Sequence, residues 1–129
     1  MMESQADLLL KRGRVIDPAS GLDSIKDIAF KDGKVSAMAD TLEDLKSAQV
    51  LDVAGKIVCP GLIDLHTHVY WGGTALGIEA ESLTSRSGTT TFVDAGSAGA
   101  GNYSGFQRFI ADASKLRILG FMNISFAGI

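Results

Sequence analysis

Apolar residues in the first part of the chain come in short runs broken by charges and turn formers, a pattern of brief half-buried strands. Residues 7–11 and 14–17 read as two such pieces. The cluster Asp17-Pro18-Ala19-Ser20-Gly21 closes them, because Pro presets φ and Gly accepts a positive one. Residues 28–31 and 34–38 flank Asp32-Gly33, a dipeptide suited to a type I′ turn, so a hairpin is predicted there. Residues 41–48 are compatible with a short helix capped by the Thr41 hydroxyl. Residues 50–53 and 56–59, separated by Ala54-Gly55, read as a second hairpin. The whole stretch suits a small β-sandwich or open barrel.

Beyond Pro60-Gly61 strand and helix signals alternate. Residues 62–69 are almost uncharged, as a strand buried on both faces of a parallel sheet should be. Residues 78–87 are helix-compatible and end at Gly88, a natural residue to follow a helix. Residues 89–94 are β-branched and strand-like, and residues 95–101 form a glycine-rich loop. Phe106, Phe109, Ile110 and Ala113 recur at spacings of three and four, predicting a helix over 102–114 with Asn102 as cap. Residues 116–126 form a third apolar strand. Right-handed crossovers would set the three strands parallel in one sheet.

Charge sharpens the division. Of the 27 charged residues, 18 fall in 1–56 and nine in 57–129, while glycine runs the other way, four against eleven. Both histidines, His66 and His68, lie in the second stretch. We therefore divide the chain into a β-rich portion, 1–59, and an α/β portion, 60–129. With net charge −3 there is no basic field to draw in nucleic acid or an anionic membrane, and no apolar run approaches the roughly 20 residues of a membrane span. Three leucines followed by basic residues are too short for the centre of a signal peptide. The single cysteine, Cys59, cannot form an internal disulfide and sits in an apolar context, so it reads as buried and inert in a cytoplasmic protein.

The chemistry concentrates in Asp64-Leu65-His66-Thr67-His68. On a regular strand residues two apart share a face, which would set Asp64, His66 and His68 together. Two neutral imidazoles there could converge on a divalent metal, zinc first, near the carboxyl end of a parallel strand where ligands of α/β folds bind. A His-x-His pair in an arbitrary sequence is more often incidental, and a catalytic zinc normally has three protein ligands. Asp64 fits a supporting role, orienting a neighbour or accepting a backbone hydrogen bond. Tyr70-Trp71-Gly72-Gly73 could wall a substrate pocket or form a packing loop. Ala95-Gly96-Ser97-Ala98-Gly99 has the outline of a nucleophile elbow, but no histidine follows Ser97, so a flexible loop or one letting amides approach a ligand is the better reading. Gly99 to Ser104 fails as a dinucleotide fingerprint, with Ser104 where the third glycine belongs.

The run Val58-Cys59-Pro60-Gly61-Leu62-Ile63-Asp64-Leu65-His66-Thr67-His68 resembles the metal-dependent amidohydrolase superfamily, in which P-G-x-x-D-x-H-x-H opens the catalytic barrel after an N-terminal set of small strands. The continuation from His68 to Thr74, and then from Ser87 to Gly99, looks like the dihydroorotase-related group that contains deacetylases. The resemblance implies an α/β fold, a small β-sandwich portion followed by the first three β/α units of an incomplete (β/α)8 TIM-type barrel. It implies that His66 and His68 bind the more buried ion of a one- or two-metal site, zinc foremost, and that a small acyl amide or ester is hydrolysed by metal-activated water. Further ligands and the general base are then expected downstream of Ile129, about two-thirds of the protein lying there. On that reading the chain alone is inactive, and an open strand at 116–126 would promote self-association. The competing reading is a non-catalytic β-rich module with an incidental histidine pair.

Overall fold

The computed structural model describes residues 6–129, which form two compact units divided after Pro60. The first contains β1 (Ala6–Asp17), β2 (Leu22–Lys31), β3 (Lys34–Ala39), β4 (Ser47–Asp52) and β5 (Ile57–Val58) in one five-stranded sheet. The two apolar pieces expected at 7–11 and 14–17 are one strand. β1 continues through a bulge between Leu10 and Gly13, where Arg12 takes φ 64°. Asp27, buried, accepts the Arg12 backbone N–H at 2.8 Å and so holds the bulge in place. The β2–β3 hairpin is present as expected, with Asp32 and Gly33 both at positive φ, the requirement of a type I′ turn.

Two expectations for this unit fail. Residues 41–48 are not helical. The Leu42 N–H donates to Asp27 Oδ2 at 3.0 Å, and β4 runs extended beside β1, from Ala6 opposite Ser47 to Lys11 opposite Asp52. A short isolated helix is marginal in water, and the parallel ladder satisfies the same backbone with packing added. Leu42 and Leu45, at a spacing that also suits a helix, instead cover the buried Ala6, Leu9 and Ala29. Nor do β4 and β5 form a hairpin. Both pair with β1 in parallel, and Ala54-Gly55 makes a step between two stretches of one edge. Val53 N–H donates to Lys11 O, and Arg14 N–H to Lys56 O, across that step. Gly13 makes the close approach feasible: a Cβ there would lie 2.7 Å from a Val58 methyl. The strands of this unit thus all belong to one sheet. Its other face carries a shallow apolar cleft of about 300 Å3 lined by Val15, Ile28, Phe30, Val35, Met38 and Val58. Cys59 borders this cleft and is exposed, which corrects its expected burial, because Pro60 ends the strand beside it.

The second unit is the expected parallel α/β arrangement. β6 (Leu62–Thr67), β7 (Thr89–Asp94) and β8 (Arg117–Gly120) lie side by side in the order 6-7-8. α1 (Ala80–Ser87) connects the first two and ends at Gly88, whose φ of 69° and N–H bond to Thr84 O close the last turn. A second helical segment begins as α2 (Tyr103–Phe106) and widens into a π-turn over Gln107–Ala111. It is shorter than the expected 102–114, and Asn102 does not cap it in the usual sense. Its side chain accepts the Gly99 N–H at 2.9 Å and donates to Ala127 O, tying the preceding loop to the end of the chain. Val69, Ala80, Phe92, Ala98, Phe106 and Ile118 form the buried core, with Tyr70, Leu83 and Ile110 against it.

The third strand is also shorter than expected, four residues instead of 116–126. After Gly120 the chain turns, and Asn123 pairs with Gly99 in place of extending the ladder. Its Nδ2 donates to Gly96 O at 2.9 Å. Burial departs from the expectation for β6 as well. Leu62, Ile63 and Leu65 are 51–72% exposed, so the uncharged run signals a strand with apolar faces without signalling that both are covered. Gly61 precedes this strand because the Thr90 side chain fills the space that a Cβ there would occupy.

Candidate metal centre

The alternation that would set Asp64, His66 and His68 on one face is interrupted. Asp64 lies opposite Phe92 and Thr67 opposite Asp94, so β6 spends one residue more than β7 between these pairs, a bulge at Leu65-His66. Bulges re-aim side chains and recur beside active sites. Here the two rings still meet: the His66 and His68 centroids are 5.7 Å apart, edge to face, with His66 exposed and His68 half-buried just past the strand end. Two imidazoles on one tetrahedral zinc, with Zn–N near 2.0 Å, would have centroids about 5 Å apart, so the observed separation is within reach of that arrangement. Among the described residues no third His, Cys, Asp or Glu joins them in a group able to hold a metal. The Asp64 carboxylate accepts the backbone N–H of His66 at 3.1 Å, and so stiffens the bulge locally.

The segment after the strand is ordered by two residues whose part in the site the sequence does not reveal. Asp94, at the carboxyl end of β7 and 1% exposed, accepts three backbone N–H groups. They are those of Val69 at 2.8 Å on Oδ2, and Gly96 at 3.1 Å and Ser97 at 2.7 Å on Oδ1. It thereby joins the residue after His68 to the loop after β7. Ser97, fully buried, places its Oγ 2.9 Å from His68 Nδ1. The legible signal is local: an aspartate ending a strand two and three residues before Gly-Ser is the composition of a side-chain-closed turn. On the neighbouring strand Thr67, buried opposite Asp94, donates its hydroxyl to Val93 O, and Thr67 O accepts the Ala95 N–H.

The loop at 95–99 is accordingly neither flexible nor open. Gly96, Ser97, Ala98 and Gly99 are all buried, and a Cβ on Gly99 would collide with Ser125 O. Ser97 is bound into this loop without the sharp exposure that a nucleophile needs. The Tyr70 ring meets Phe106 edge-on at 5.5 Å and its hydroxyl donates to Asn102 O at 3.3 Å. Gly73 lies beneath that ring, which leaves no room for a Cβ, and Gly72 turns the chain at φ 74°. These three residues form a packing loop, which returns through Ile78 N–H to His68 O. Trp71 is 62% exposed and borders a cleft of about 280 Å3 with Val69, Ala80, Phe109, Ile110 and Ile118; neither histidine lines it.

No family model matches the chain. Relatives and solved structures do. A deacetylase of Agrobacterium fabrum is 39% identical over 98 residues, which is 76% of this chain and 24% of that protein. The crystal structure of a dihydroorotase superposes with a TM-score of 0.83 at 35% identity, over 97% of this chain and 33% of that one. That of an adenine deaminase gives 0.77 at 30% identity, over 97% and 32%. The chain thus spans about a quarter to a third of the length of the proteins it matches.

Proposed function

Since the chain belongs with the amidohydrolase superfamily, matching an N-terminal segment of its deacetylase and dihydroorotase members, we propose that it supplies the first metal-binding strand of a metal-dependent hydrolase. The substrate class is a small molecule with a C–N amide bond, or an acyl ester. The observation that carries this reading is the histidine pair, 5.7 Å between rings, at the carboxyl end of the first parallel strand. His66 and His68 would hold a divalent ion, zinc foremost. Bound there, such an ion supplies Lewis acidity toward a carbonyl and a water acidified to near neutrality.

The chain's own residues do the positioning. The bulge at Leu65-His66 aims the first imidazole, and Asp64 fixes that bulge through the His66 N–H. Asp94 holds the backbone of Val69, which follows the second, and of Ser97, whose hydroxyl contacts it. Two imidazoles are two of the three protein ligands a catalytic zinc normally has, so a further ligand and the proton-transferring base would have to come from outside the described residues. Titration of the chain with zinc, followed by calorimetry, tests the assignment. Binding that is lost in both His66→Ala and His68→Ala supports it; binding that survives the double substitution refutes it.

A further inference from the structure

Of the contacts around the histidine pair, one is polar, partly buried and unused by the proposed chemistry. Ser97 is fully buried, its hydroxyl lies 2.9 Å from His68 Nδ1, and its backbone N–H is fixed at 2.7 Å by the buried Asp94. We infer that Ser97 is a positioning residue: its hydroxyl accepts the proton of His68 Nδ1, which leaves Nε2 as the unprotonated nitrogen facing a metal ion. This rests on the reading of His66 and His68 as metal ligands.

A neutral imidazole carries one proton, and a hydroxyl can either give or take a hydrogen bond, so the contact alone allows two tautomers. Two features choose between them. A ring whose Nδ1 is occupied by Ser97 can offer only Nε2 to an ion, and an ion can bind only a nitrogen that lacks the proton. Binding therefore demands the proton on Nδ1, and with it Ser97 as acceptor. The serine is also in no position to follow the ring. Gly128 approaches so closely that a Cβ there would collide with Ser97 O, and Asn123 Nδ2 bonds the adjacent Gly96 O. The backbone that carries the hydroxyl is thus held in place, and His68 is set against it. Asp94 acts one step further back: by taking the N–H of Ser97 on one oxygen and that of Val69 on the other, it sets the distance between serine and histidine.

The test uses the 129-residue chain and the variant Ser97→Ala, which removes the hydroxyl while leaving the backbone bond to Asp94 available. Long-range 15N NMR of the imidazoles, recorded without metal above the histidine titration range, should show His68 with its proton on Nδ1 in the parent and a shift toward the Nε2-protonated form in the variant. Zinc titration should show affinity lower by about tenfold or more in the variant. Amide spectra in which the backbone N–H at position 97 stays protected would show that the loop itself is intact. An unchanged tautomer in Ser97→Ala overturns the inference, and so does a variant that binds zinc as tightly as the parent. If the tautomer responds but the parent binds no zinc through His66 and His68, the metal reading fails, and the inference with it, while the Ser97–His68 bond stands as a structural contact only. Should Ser97→Ala unfold, Ser97→Cys, a weak acceptor of similar size, gives the same two readouts.

Discussion

Each unit encloses one aspartate that is 1% exposed and spends its carboxylate on backbone amides, yet the two do different work. Asp27 takes the N–H groups of Arg12 and Leu42, with Lys11 Nζ at 3.8 Å, and so pins a strand bulge to the segment that covers the sheet. Asp94 takes three N–H groups, and two of their owners flank or include residues of the histidine site. The same device therefore pins a strand bulge in one unit and orders the backbone around the histidine pair in the other. Buried carboxylates held by amides are a structural motif first; what is attached to those amides decides whether they also matter for chemistry.

Removing Asp94 should show the largest effect. Asp94→Ala orphans three backbone donors in a buried place, at about 1–3 kcal/mol each before any relaxation, so unfolding of the second unit is expected to be the result or close to it. The single tryptophan, Trp71, reports on that unit by fluorescence during denaturant unfolding. Asp94→Asn keeps one acceptor oxygen and should fall between. A near-normal midpoint for the alanine variant would show that the three bonds are dispensable. Asp27→Ala orphans two donors and should cost less, about 2–6 kcal/mol before any relaxation, with the loss of amide exchange protection confined to the first unit, Arg12 and Leu42 included. Zinc binding should be untouched by it. If Asp27→Ala instead weakened zinc binding as much as Asp94→Ala does, the distinction drawn between the two aspartates would fail.

These contacts mark where reading the sequence stops. The β2–β3 hairpin, α1 with its Gly88 end and the three parallel strands are legible because each rests on local chemistry: a turn dipeptide, a C-terminal glycine, β-branched runs. Residues 41–48 and 50–59 mislead because their conformation is decided by a distant partner. The long edge of β1 recruits both segments in parallel, and nothing within either stretch records that. The histidine pair is visible as spacing. The bulge that aims it, and the Asp94–Ser97 arrangement behind His68, depend on register between β6 and β7, which spacing along one strand does not contain.

A smaller effect is expected at Gly88. Its φ of 69° is the left-handed conformation that side chains disfavour, and no atom lies within 4 Å of a notional Cβ, so Gly88→Ala tests backbone conformation without a clash. The expected loss is about 1 kcal/mol, confined to the second unit and read from the same tryptophan transition. A loss several times larger would mean that the β6–α1–β7 connection is strained beyond what its geometry implies.

The gentlest test of the difference between the units is acid. In the first unit five aspartates are held below the usual carboxylate range: Asp7 mainly by the Asp32 N–H and then Lys31, Asp17 by the Ser20 hydroxyl, Asp23 by Arg14, Asp40 by Lys26 and Asp52 by Arg12. In the second, Glu81 is lowered, chiefly by the Ser114 hydroxyl. A folded carboxyl with a depressed pKa takes up its proton less readily than the unfolded chain does, so protonation favours unfolding. The contribution is complete above the unfolded carboxylate range, near pH 4, and is lost as pH falls through that range toward the lower folded values. Asp7, Asp23, Asp40 and Asp52 are solvent-exposed and their ion pairs are screened, while Asp17 is half-buried and held by hydrogen bonds alone, so each contribution is small and the four ion-paired ones weaken with added salt. Lowering the pH from about 5.5 to about 3 should therefore reduce amide exchange protection more in β1–β3 than in β6–β8, with the contrast diminished at high ionic strength. Equal loss in both units would assign the acid sensitivity to groups other than these aspartates.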